Sequence, residues 1–274
     1  MTVKLIAIDM DGTLLDSQKQ LPQENIRALK EATEAGIKVV ICTGRPLVGV
    51  KPFFEQLDVS PDDYVIVNNG CSTHKRQDWE LVDDFHLTPE ELTYLYHLQE
   101  DIPGVQLTAF DTDHYYVVAQ EPLPIITWDA GLVFTEPVCV SLEELLSKDV
   151  TYFEAMIVGE AADLDPFQET YEAVLSERFS TVRSQHYIFE TMPKGATKAT
   201  ALAKLADKLG YAPEEVMALG DANNDLEMLS YAGYSVAMGN SPDHVKALAK
   251  YVTGTNDEAG VAQAIDRWAL KKGY

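Results

Sequence analysis

Residues 3–8, VKLIAI, form an apolar run that stops abruptly at Asp9 and Asp11, with Gly12 following. A run of this kind suits a strand buried on both faces, which is the environment of a parallel sheet covered by helices. The following segments keep that rhythm. Pro22 opens a helical pattern with Ile26, Leu29 and Ala32 on one face, and Gly36 closes it. IKVVIC (37–42) reads as a second buried strand and YVIVNN (64–69) as a third, while Pro46, after TGR, suits the first turn of a new helix. This βαβαβ order predicts a parallel sheet flanked by helices.

After Gly70 the alternation lapses. Residues 78–190 mix strand-like YYVVAQ and FEAMIVG with helical TPEELTYLYHLQE, and prolines cluster between 122 and 137. That mixture predicts an α+β module inserted into the first fold. From Lys194 onward the alternation returns. Leu202, Leu205, Ala206 and Leu209 line a helix, EVMALG (215–220) and YSVAMG (234–239) are strands, and an amphipathic helix covers roughly 258–270.

Three apolar strands end in small polar residues: Asp9-Met10-Asp11-Gly12-Thr13, Thr43-Gly44-Arg45, and Gly220-Asp221-Ala222-Asn223-Asn224-Asp225. In a parallel sheet all carboxyl ends lie on one side, where ligands of such folds bind. Each terminus alone could be an ordinary turn; three in this order are expected to converge. The net charge of −23 disfavours nucleic acid as a partner, although a cation in a pocket reverses the local field for a small phosphate ester. No apolar run approaches the roughly 20 residues that cross a bilayer, and the first apolar segment holds aspartates, so no membrane partner and a cytoplasmic location are expected. Cys42, Cys71 and Cys139 form no metal-spaced cluster and read as reduced thiols.

Asp9 and Asp221, with a main-chain carbonyl near Asp11, offer hard oxygen donors of the kind Mg²⁺ accepts. A carboxylate can attack phosphorus to give an aspartyl-phosphate, and an anion attacking an anion needs cationic help from a metal and a lysine. A second carboxylate two residues on could protonate the leaving alkoxide and then deprotonate the hydrolytic water.

DMDGTLL, TGRP, a lysine-bearing helix start and GDANND together resemble the four motifs of the haloacid-dehalogenase-like (HAD) hydrolase superfamily, and the tail from GDANND through MGNSPDHVKALAKYVT resembles its Cof-type branch. The resemblance implies an α/β, Rossmann-like three-layer core with a parallel central sheet (residues 1–82 and 190–274) and an inserted α+β cap (83–189). It implies an Mg²⁺-dependent phosphatase of small phosphorylated metabolites, sugar phosphates above all; a phosphomutase or a non-catalytic phosphate or Mg²⁺ sensor is the alternative. By the same resemblance Asp9 is nucleophile and metal ligand, and Asp11 is general acid/base and binds metal through its main-chain carbonyl. Asp221 completes the metal ligands. Met10, Thr43, Gly44, Lys198 and Asn224 bind phosphate, and Asp225 orients Lys198 or a metal-bound water. Lys198 is preferred over Lys194 because it opens the helical stretch KATALAKLADKLG, and Arg45 is expected to brace its loop.

Overall fold

The computed structural model describes residues 2–57, 60 and 62–272. β1 (Leu5–Ile8) is buried along its whole length. α1 (Gln23–Glu34) buries Ala28, Leu29 and Ala32, and the chain leaves it through Gly36 at a left-handed φ of +81°. β2 (Lys38–Cys42) pairs in parallel with β1, Ile8 opposite Ile41, and with β3 (Tyr64–Val67), Cys42 opposite Ile66. The helix expected from Pro46 is instead a 3₁₀ turn, Leu47–Gly49, followed by the short α2 (Lys51–Phe54). Pro52 has no N–H with which to continue that turn into one helix. Beyond β3, Asn68, Asn69 and Gly70 all have positive φ. They reverse the chain into β4 (Ser72–Lys75), antiparallel to β3, with β5 (Leu81–Asp84) at the edge. The sheet is therefore parallel in its centre and antiparallel where β3 meets β4.

Next come α3 (Pro89–Gln99), β6 (Val105–Phe110), β7 (Tyr115–Val118), α4 (Pro124–Leu132) and β8 (Pro137–Val140). Then follow α5 (Leu142–Ser147), β9 (Glu154–Gly159), α6 (Ala161–Arg178), β10 (Phe179–Gln185) and β11 (Ile188–Pro193). Their six-stranded sheet has the order β10-β11-β9-β6-β7-β8. Thr88 starts α3 with a reciprocal capping box to Glu91. Leu92, Leu107, Leu145, Ile157, Phe167 and Phe189 make one apolar cluster of this unit, and Val117, Ile126, Ala130, Val158 and Tyr187 belong to another.

The chain then adds α7 (Lys198–Leu209), β12 (Val216–Gly220), α8 (Leu226–Tyr231), β13 (Tyr234–Ala237), α9 (Asp243–Leu248), β14 (Tyr251–Val252) and α10 (Gly260–Ala264). The eight-stranded order is β14-β13-β12-β1-β2-β3-β4-β5, so β1 lies between β12 and β2 and is parallel to both. Leu5 and Ala7 pack in one cluster with Leu202 and Leu205 of α7 and Met228 of α8, while α1 packs on α10 and touches β2. Helices thus cover the core sheet as the α/β reading requires. The final helix starts at Gly260 rather than 258, after a 3₁₀ turn at Asn256–Glu258, and widens to a π turn over Ile265–Ala269.

Two compact units emerge: Met1–Gly44 with Lys51–Asp83 and Thr197–Tyr274, and Arg45–Val50 with Asp84–Ala196. β11 lies within the second unit. Cys42 and Cys71 are buried and Cys139 is half-buried, all as free thiols. Among the described residues no helix is long and apolar enough to cross a membrane.

Candidate active site

The first unit gathers its polar residues at the carboxyl ends of its parallel strands. Asp9 follows β1 directly, is only 5% exposed, and donates its backbone N–H to Leu219 O of β12 at 3.0 Å. The chain then turns tightly: Leu14 N donates to Asp9 O and Leu15 N to Met10 O, and the Met10 side chain is buried. Gly12 permits the turn at φ +84°, and a Cβ there would stand 2.5 Å from Asp221 Oδ2. Thr13 Oγ1 donates to Asp221 Oδ1 at 2.9 Å.

Lys198 is the first residue of α7, whose start is fixed by Thr197 Oγ1 accepting from Thr200 N at 3.1 Å. Its buried Nζ donates to Asp9 Oδ1 at 2.6 Å and Asp225 Oδ1 at 2.8 Å. The other oxygen of Asp225, Oδ2, accepts from the backbone N–H groups of Asp221 and Ala222 at 2.9 and 3.1 Å. Lys194 sits elsewhere, donating to the carbonyls of Ser176 and Phe179 in the second unit. Arg45 also belongs to the second unit and donates to Leu132 O at 3.3 Å and Gly49 O at 3.5 Å, a bracing pattern.

Asp9, Asp221 and Asp225 each place one carboxylate oxygen within 4.8 Å of the others. Burial, and then the charge of Asp225, raise Asp9 well above the ordinary carboxylate range, with Lys198 opposing. The same two causes push Asp221 up to about 6. Burial works against the charged form of Lys198, but Asp225 and Asp9 outweigh it and leave the lysine raised. Three crowded carboxylates against one ammonium leave an excess of negative charge. Hard oxygens in that surplus suit Mg²⁺. Asp225 spends one oxygen on Lys198 and the other on the backbone, which leaves Asp9 and Asp221 as the carboxylates of this group that could hold an ion. The Asp11 carboxylate is directed elsewhere: its Oδ1 accepts from Lys19 Nζ at 2.7 Å.

Thr43 follows β2, buried, and its carbonyl accepts from Asn69 N at 3.0 Å. Asn69 Oδ1 accepts from Asn224 Nδ2 at 3.1 Å and lies 3.0 Å from where a Gly44 Cβ would be. Thr43, Gly44, Asn69 and Asn224 therefore form one polar group. Asn69 escapes a reading confined to three strand ends, although NNG after the third strand is its signal. Asn240, in MGN after β13, donates to Gly12 O at 2.8 Å and accepts from Asn256 N at 3.0 Å, tying the loop after β1 to the loop after β14.

A family model described as haloacid dehalogenase-like hydrolase matches residues 6–265. The chain belongs to that family. This haloacid dehalogenase-like hydrolase is 34% identical over 272 residues to the 5-amino-6-(5-phospho-D-ribitylamino)uracil phosphatase YcsE of Bacillus subtilis, covering 98% of this chain and 96% of that protein. It is likewise 34% identical over 284 residues to phosphatase YwpJ of Bacillus subtilis, covering 95% and 98%. Among solved structures it resembles a haloacid dehalogenase-like hydrolase from Bacteroides thetaiotaomicron with a TM-score of 0.87 and 31% identity, covering 97% of this chain and 99% of the other.

Proposed function

We propose that this phosphatase of the haloacid dehalogenase-like family hydrolyses small phosphate monoesters, sugar and polyol phosphates in particular, with Asp9 as nucleophile. The observation that supports this reading most is the buried Asp9–Lys198–Asp225 array beside Asp221. Names of relatives agree in kind, since the YcsE substrate carries a phosphorylated ribityl chain.

In the first half-reaction an Asp9 carboxylate oxygen bonds to phosphorus while the ester P–O bond breaks. Asp11 gives its proton to the departing alkoxide. In the second, Asp11 takes a proton from water as the water oxygen attacks phosphorus, and the acyl-phosphate bond breaks to return the Asp9 carboxylate. Lys198 offsets the charge of Asp9 and, with Thr43, Gly44, the Met10 backbone and Asn224, holds the phosphoryl group. Asp225 keeps Lys198 aimed. Mg²⁺, held by Asp9, Asp221 and the Asp11 carbonyl, would supply the charge neutralisation that anionic attack on a phosphate needs.

The test is a panel of phosphorylated metabolites ranked by kcat/KM with Mg²⁺ present, together with Asp9→Asn. Free phosphate is expected from the native enzyme, and Asp9→Asn is expected to lose roughly 10³-fold or more in turnover while remaining folded and binding Mg²⁺ weakly. Near-native activity in Asp9→Asn would remove the nucleophile assignment. An isomerised product in place of free phosphate would make the enzyme a mutase.

A further inference from the structure

The carboxylate of Asp11 poses a problem of its own. Asp9 and Asp221 bracket the proposed cation position, and an Asp11 side chain free to rotate would be drawn to the same cation. A carboxylate that ligates the metal is fixed there and cannot also reach the leaving oxygen. Something must compete for it.

Lys19 is built to compete. Its ammonium lies 2.7 Å from Asp11 Oδ1. An exposed ion pair alone means little, but this lysine is aimed by its backbone. Lys19 has a left-handed φ of +59°, unusual for a residue with a side chain. The turn that keeps it there is closely tied. Asp16 Oδ1 accepts from Gln18 N and Gln20 N, Asp16 N donates to Gln20 O, and Lys19 N donates to Asp16 O. Ser17 N in turn donates to Asp257 Oδ1 at 2.8 Å, anchoring the turn to the far end of the chain. Among the described residues the close carboxylate group contains Asp9, Asp221 and Asp225 and not Asp11.

We infer that Lys19 is a positioning residue that holds the Asp11 carboxylate off the metal, so that Asp11 offers the cation only its carbonyl and keeps its side chain for proton transfer. The inference rests on the reading of Asp11 as the acid/base. It assigns the turn at residues 16–20 a task in the reaction.

Mg²⁺ binding is measured by titration calorimetry for the native enzyme, Lys19→Met, Asp11→Asn and the double variant. Lys19→Met is expected to tighten Mg²⁺ roughly tenfold more in the native background than in the Asp11→Asn background, since only the former has a carboxylate to release. Equal tightening in both backgrounds would reflect the lost positive charge alone and would overturn the inference. In parallel, Lys19→Met should lower kcat on an alkyl phosphate and spare an aryl phosphate whose leaving group needs no proton. Lys19→Arg should restore the alkyl rate. Equal losses on both esters would also overturn it. If Asp11→Asn itself spares alkyl phosphates, the acid/base reading fails, and the calorimetric cycle still decides whether Lys19 keeps Asp11 from the cation.

Discussion

Lys198 shows how much one buried side chain can organise. It is 1% exposed and faces Asp9 at 2.6 Å and Asp225 at 2.8 Å. Removing one member of such a group strands the charges left behind, at a cost of about 3–5 kcal/mol. Lys198→Met is therefore expected to lower stability by that order in urea unfolding with a chelator present. Mg²⁺ should recover part of the loss by supplying a replacement cation, more than it stabilises the native enzyme. A variant as stable as the native protein in chelator would show that the carboxylates simply protonate. At this scale the sequence was informative through the strand ends taken together: DMDGT and GDANND, each readable alone as a turn, follow parallel strands, and the structure groups Asp9 and Asp221 there with Asp225, whose part only the family resemblance implied. Asn69 has only the weak signal of NNG after a strand and Asn240 has less, because an amide in a turn looks the same whether it joins loops or merely closes one. Lys19 was hidden for another reason. Its aim depends on a left-handed backbone, which lysine does not advertise.

The elements were legible where periodicity and punctuation agreed. VKLIAI, IKVVIC and EVMALG predict strands, and the structure has β1, β2 and β12 within them, each trimmed by a residue or two at its start. Helix α7 begins at the residue its pattern indicates, with Thr197 before it as cap. Predictions failed where local backbone chemistry overrode pattern. Pro52 split the helix after Pro46, and three successive positive-φ residues turned the chain back into an antiparallel edge. The join between β2 and β3 carries a testable charge. Asp63, next to the start of β3 and 1% exposed, accepts from Val39 N of β2 and from Ser60 N. Burial chiefly pushes it up to about 6. Because the folded value lies above the unfolded value, folding takes up a proton between them. The contribution is full below about pH 4 and is lost as pH rises through about 6, amounting to at most about 3 kcal/mol. The melting temperature of the native enzyme minus that of Asp63→Asn should therefore be more positive at pH 5 than at pH 7.5. A constant difference, or one of opposite sign, would mean that Asp63 stays ionised in the fold.

For the molecule as a whole, 44 acidic residues against 21 basic ones give a self-repelling charge of −23. Raising monovalent salt from about 20 mM to about 500 mM should raise the melting temperature, since screening shortens the reach of that repulsion. No rise, with chelator present to exclude cation binding, would show that local pairing already neutralises the surface. The order of the core sheet has a consequence for how the enzyme is made. β1 is the middle strand of the site and pairs with β12, which is translated only after the whole 84–196 segment. A chain emerging at about 5–20 residues per second leaves one flank of β1 bare for many seconds. During that interval every residue of the second unit, Arg45–Val50 and Asp84–Ala196, has already been made, while the first still lacks its 197–274 segment. Biosynthesis thus exposes the strand that leads to Asp9 as a sticky edge, and crowding at the ribosome or a missing holdase should harm yield more than any later stress does.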